Sequence, residues 1–128
     1  MAAAAVSLAP SGGCVDSRDV IALPDRAPLH TVVFDNRYAR ARAFAADAAS
    51  KGIRTTGIDG DVTALWLRDL RFHWSADGPA VAGMTTARSL LCLEQMAHDS
   101  WRRVLARVEY RPSRSTAATP LVSWIIGA

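Results

Sequence analysis

Lysine is almost absent from this chain: Lys51 stands alone against fourteen arginines. The arginines scatter from Arg18 to Arg114 without a dense run. A phosphate-tracking basic stripe is therefore missing, and nucleic acid is not an expected partner. Cysteine is scarce too, with Cys14 and Cys92 only, which excludes a disulfide framework or a cysteine-rich metal centre. Cys92 sits in an apolar helical stretch and reads as a small core residue. A Cys14–Cys92 bridge stays open in an oxidising compartment. No apolar run approaches the ~20 residues that a membrane-spanning helix needs, so no transmembrane segment is expected. The phosphate-cradling patterns GxGxxG and GxxxxGK[ST] are missing, as is a GxSxG nucleophile elbow. His30, His73 and His98 show neither HxH nor HxxxH spacing, so local sequence gives no metal site, and no cofactor is expected.

What remains is the composition of a globular domain. Half of the 128 residues are hydrophobic and 21% are charged. That length suits one domain burying about two-thirds of its unfolded surface. Residues 1–28 read as a signal-like remnant and linker, broken by Pro10, Gly12, Gly13, Pro24 and Pro28. The opening MAAAAVSLAP, followed by Ser11-Gly12-Gly13-Cys14, resembles the second half of a secretory signal without its positive n-region. It favours a periplasmic or secreted location; a plain alanine-rich tail would leave the protein cytoplasmic. A single α/β domain then occupies residues 29–128.

Within that domain a short apolar run passes three times through a polar turn into a helix-patterned segment. Residues 29–34 (LHTVVF) predict a strand, and residues 37–51 a helix ended by Gly52 at C′. Its buried face comprises Tyr38, Ala41, Phe44, Ala45 and Ala48. Residues 53–58 predict a second strand, and Asp61 caps a helix over 62–74. Val62, Trp66, Leu70 and Trp74 repeat there every four residues, with Leu65 and Leu67 widening the apolar face. Residues 80–84 predict a third strand, after which Thr85 or Thr86 caps a helix reaching about residue 101. Leu90, Leu93, Ala97 and Trp101 form its buried stripe. Residues 102–110 alternate as a strand with one solvated face, Val104, Ala106, Val108 and Tyr110 lying inward. A polar loop over 111–119 then leads to a last apolar strand, 121–126. The expected fold is α/β: a mainly parallel sheet of about five strands with three helices, the last strand pair antiparallel.

Right-handed crossovers place all three polar turns at the C-terminal ends of the strands, where ligands of such folds sit. Candidate ligand-binding residues there are Asp35, Asp59, Asp61, Thr85, Thr86, Arg88 and Ser89. The third turn offers a helix start, two hydroxyls and Arg88 to a small anionic ligand. Its plainer reading is a threonine cap. Asp59-Gly60-Asp61-Val62-Thr63 resembles the DxDx[TV] motif of haloacid dehalogenase-like phosphohydrolases. That resemblance implies Asp59 as nucleophile and Asp61 as acid/base, with Thr85 or Thr86 at the second motif. It spans about five residues. No lysine follows it, and the acidic pair that holds magnesium is missing. Gly60 bending the chain and Asp61 capping a helix explain the same residues.

The stretches GDVTALWLR and AVAGMTTARSLLCLEQMAHDSWRRVLARVEY and the ending PLVSWII resemble uncharacterised small exported bacterial proteins with a twin-arginine-type signal. The resemblance covers residues 29–126, implies export and lends no activity. Three functional classes follow. The first is an exported accessory or ligand-binding domain taking an anionic small molecule at the strand C-terminal edge. The second is a small hydrolase or phosphoryl-transfer enzyme using Asp59 and Asp61. The third is an interaction subunit meeting a protein partner through Trp66, Leu70 and Trp74.

Overall fold

β-branched and aromatic residues in short runs, separated by alanine- and leucine-rich stretches at helical spacing, set the order of elements. The computed structural model describes Ile21 and residues 29–74, 78–110 and 120–128. The signal-like segment apart from Ile21, Cys14 and the 111–119 loop lie outside the described residues. The elements are β1 (Leu29–Asp35), α1 (Ala39–Ser50), β2 (Thr55–Ile58), α2 (residues 63–73), β3 (Ala80–Thr86), α3 (Ala87–Asp99), β4 (Arg103–Tyr110) and β5 (Leu121–Gly127).

The five strands form one sheet in the order β2-β1-β3-β5-β4. β1 pairs in parallel with β2 and β3, whereas β5 is antiparallel to both β3 and β4. The sheet is therefore mixed rather than mainly parallel. The last two strands do pair antiparallel as expected. However, the hairpin folds back into the slot beside β3, so β5 becomes interior and β4 an edge. The crossover from β3 through α3 to β4 leaves that slot open, and the apolar β5 fills it.

Helices cover both faces. On one, α2 and α3 pack Val62, Leu65, Leu70, Trp74, Leu90, Leu93 and Ala97 against Val33, Val81, Val122, Trp124 and Ile126. On the other, α1 packs Ala41, Phe44 and Ala48 against Val32, Ala82 and Met84. Burial of each large apolar side chain contributes about 1.5–3 kcal/mol. The α1 stripe is the predicted one. Trp124 is wholly buried opposite Gly83. A Cβ on Gly83 would lie 2.6 Å from the Trp124 ring and 2.5 Å from the Val33 carbonyl oxygen. The indole Nε1–H donates to Thr85 Oγ1 at 3.1 Å.

Several expected inward positions turn outward. Leu67 is exposed because the middle of α2 is a π turn over Trp66–Leu70, which rotates the apolar face away from it. Cys92 is exposed on the outer side of α3 rather than in the core. Trp101 does not extend the α3 stripe: the helix ends at Asp99, and Trp101 is 85% exposed. In β4 burial alternates as expected, and a register shift between Val104 and Ala106 divides the half-buried positions between the two faces of the sheet. Val104 consequently packs with the α2–α3 face, while Ala106, Val108 and Tyr110 pack with the α1 face.

α1 and α3 end with the same hydrogen-bond pattern and different residues. Gly52 (φ +80°) donates to the Ala49 carbonyl and Ile53 to that of Ala48. Trp101 (φ +62°) donates to the His98 carbonyl and Arg102 to that of Ala97. Both are Schellman endings, and the second places a bulky residue where glycine is the unstrained choice. Arg102 is then buried, donating to the Gly78 and Pro79 carbonyls and ordering the approach to β3.

Two expectations follow. Trp101→Gly raises unfolding stability by about 1 kcal/mol, because it relieves a left-handed backbone and removes no buried packing. Gly83→Ala lowers it by about 1–3 kcal/mol through overpacking against Trp124. Urea denaturation followed by circular dichroism reads both, and an unstable Trp101→Gly protein would show that the ring is structural.

Candidate functional site

At the C-terminal edge the three turns are tied to one another. Asp35 is wholly buried. Both its oxygens accept from Arg37, Nε to Oδ1 at 3.0 Å and Nη2 to Oδ2 at 2.8 Å, and Oδ1 also takes the Arg37 amide at 3.1 Å. This bidentate pair holds the Arg37 guanidinium more firmly protonated than usual. The guanidinium lies against Gly60, where a Cβ would meet Nη2 at 2.5 Å. Asn36 N–H donates to the Ile58 carbonyl at 2.7 Å, joining the first turn to the second.

Ser89 Oγ donates to the Gly60 carbonyl at 3.1 Å, joining the second turn to the third. Thr86 caps α3 by accepting the Ser89 amide at 3.3 Å. Thr85 is completely buried; its hydroxyl donates to the Thr86 carbonyl and accepts the Trp124 indole N–H. Asp61 accepts the Thr63 amide at 2.9 Å, and hydrogen bonding to Thr63 lowers its pKa. Asp59 and Arg88 are exposed.

The sequence-derived candidates thus share an edge, and most of their polar atoms serve the turns. Thr85, Thr86, Ser89 and Asp35 are buried and engaged, and Asp61 accepts the amide at the start of α2. The tryptophan set fares similarly: Leu70 and Trp74 are buried and Trp66 half-buried, so the expected docking stripe lies inside the α2–sheet core.

The opposite, N-terminal edge carries a constellation that local spacing did not reveal. His30 Nε2 donates to Asp69 Oδ1 at 2.8 Å. His73 Nδ1 lies 3.0 Å from the same oxygen and 3.1 Å from the Asp69 carbonyl. Arg54 Nη2 donates to Asp69 Oδ2 at 3.2 Å. The two imidazoles stack with centroids 4.4 Å apart. The ligand-capable atoms of His30, Asp69 and His73 all lie within 4.8 Å of one another. Beside them Thr31 Oγ1 and Thr56 Oγ1 share a hydrogen bond of 2.8 Å. The His30 and Asp69 side chains are 10% and 11% exposed, whereas His73 is 52% and Arg54 57% exposed. One side of the cluster therefore opens to solvent. With the guanidinium, the two imidazoles and the carboxylate can orient a polar ligand; without it, those three can converge on a cation.

The available signal was Asp69 and His73 at i, i+4, which share a helical face; His30 lies 39 residues before Asp69 and joins them only through the fold. An open groove at the end of α3, lined by His98, Asp99, Trp101, Arg102, Arg103 and Ala128, shares no residue with the cluster. Compared with protein-family profiles, curated proteins and solved structures, the chain matches none.

Loss of the α3 cap provides the check on the C-terminal edge. Thr86→Ala is expected to cost about 1 kcal/mol of stability. Calorimetric melting measures it, and an unchanged melt would mean that the hydroxyl is spare.

Proposed function

We propose that this chain is a non-catalytic α/β binding domain whose ligand is met at the N-terminal edge, by His30, Arg54, Asp69 and His73. The contrast between the two edges supports this reading. Polar groups at the C-terminal edge are occupied with stitching turns together, while the N-terminal cluster keeps a solvent-facing side. Exposed Arg54 and His73 give that side hydrogen-bond donors for a small polar or anionic ligand.

Two alternatives lose support. A hydrolase or phosphoryl-transfer enzyme using Asp59 and Asp61 needs convergent carboxylates, and Asp61 is spent on Thr63. An interaction subunit docking through Trp66, Leu70 and Trp74 needs them exposed, and two are buried. Export forms part of the proposal and rests on the small-residue opening alone.

Nuclear magnetic resonance of the 15N-labelled protein in a chelator, titrated in turn with imidazole, acetate and inorganic phosphate, tests the binding edge. Amide shifts are expected first at residues 29–31, 54–56 and 68–74. Shifts confined to residues 85–89 would return the ligand to the C-terminal edge and defeat the proposal. For export, the intact mass of the mature protein is expected to lack the alanine-rich opening.

A further inference from the structure

Two departures from regular secondary structure meet at one point. In β1, Leu29 pairs with Ala80 and Thr31 with Val81, so His30 is the extra residue of a bulge. A bulge bends its strand and re-aims the side chain it carries. In α2, the turn Trp66–Leu70 is π-helical and contains Asp69. Such turns break the regular spacing of a helix and recur at functional sites. The bulged His30 and the π-turn Asp69 make their 2.8 Å contact across the helix–sheet interface. His73, one turn further along α2, reaches the same carboxylate oxygen.

We propose that His30 Nε2, Asp69 Oδ1 and His73 Nδ1 bind a divalent metal ion of the zinc class. The inference rests on the N-terminal edge being the binding edge, and it adds a metal ion whose open position meets that edge's polar or anionic ligand. A tetrahedral ion with bonds of 2.0–2.1 Å holds its donors about 3.3 Å apart. Asp69 Oδ1 already lies 2.8 and 3.0 Å from the two nitrogens. To take the ion, the carboxylate oxygen draws back by a few tenths of an ångström and the stacked imidazoles turn so that both nitrogens face it. Each imidazole then carries its proton on the other ring nitrogen or gives it to solvent, because only a bare nitrogen ligates.

Nitrogen–oxygen–nitrogen is a donor set for zinc, cobalt or nickel, whereas magnesium and calcium want oxygens throughout. Arg54 remains on Oδ2, an outer-shell hydrogen bond of the kind that orients a ligating carboxylate. The site lies at the C-terminal end of α2, where unpaired carbonyls favour positive charge. Three protein ligands leave a fourth position on the side where His73 is half-exposed. The competing account is a closed ion network in which Asp69 merely anchors α2 to the sheet.

The chelator-treated full chain, titrated with Zn2+ by calorimetry and with Co2+ by visible absorption, separates the two. One ion per chain is expected, with a four-coordinate Co2+ spectrum that millimolar Mg2+ does not displace. Asp69→Asn and His73→Gln should each weaken Zn2+ binding by at least about 10-fold, and His98→Ala should leave it unchanged. If Asp69→Asn fails to fold, the half-exposed His73→Gln decides. No stoichiometric Zn2+ binding, or equal binding in both variants, overturns the metal site. If Zn2+ fails while imidazole or acetate still shifts residues 29–31 and 68–74, the metal alone is lost and the binding edge stands.

Discussion

The seat of Trp124 over Gly83 is the constraint on which the rest of the molecule depends. A bulky indole in the middle of β5 needs a strand neighbour without a side chain, and Gly83 provides it in register. That fit, with the indole N–H on Thr85, places the last strand inside the sheet beside β3. Once β5 is interior, β3 is covered on both edges and both faces. β4 becomes the rim, and α3 has a complete floor to pack on. The buried Thr85 hydroxyl is satisfied twice, donating to the Thr86 carbonyl and accepting the indole N–H, so the central strand tolerates a polar residue in a dry site.

The same packing explains why the two ends of the sheet differ. At the C-terminal ends of β1, β2 and β3 the turns are short and close together. Their polar groups satisfy each other: Asp35 with Arg37, Ser89 with Gly60, Thr86 with the start of α3. At the N-terminal ends, α2 arrives with its last turns over β1 and β2. A buried carboxylate there needs compensation, and His30 supplies it from β1, His73 from α2 itself and Arg54 from just before β2. The network is only half enclosed, which distinguishes it from the turns at the other end.

Much of the architecture is legible in the residues. The α1 stripe of Ala41, Phe44, Ala45 and Ala48, the Gly52 ending, the Thr86 cap and the alternation of strand with helix each follow from local chemistry. The misreadings share a cause. Leu67 fits the helical period but not a π turn; Trp101 fits the period of α3 but not the helix's actual end. Cys92 is apolar enough for a core that turned out to lie on the other side of its helix. A period identifies a face, and only the packing partners say which face is used. For Asp59-Gly60-Asp61 the plainer of the two readings has local support: Gly60 takes a positive φ at the bend and Asp61 accepts the Thr63 amide.

Sequence by itself determined the α/β class, the succession of elements, the helix caps and the edge on which the three turns collect. All of these are set by neighbours within a few residues, through hydrogen bonds and side-chain periodicity. Tertiary structure alone decided the mixed sheet, the interior position of β5 and the meeting of His30 with Asp69 and His73. Strand order depends on which distant surfaces fit, as Trp124 fits Gly83. The histidine cluster depends on a bulge and a π turn whose register is fixed only when the helix and the sheet are packed together.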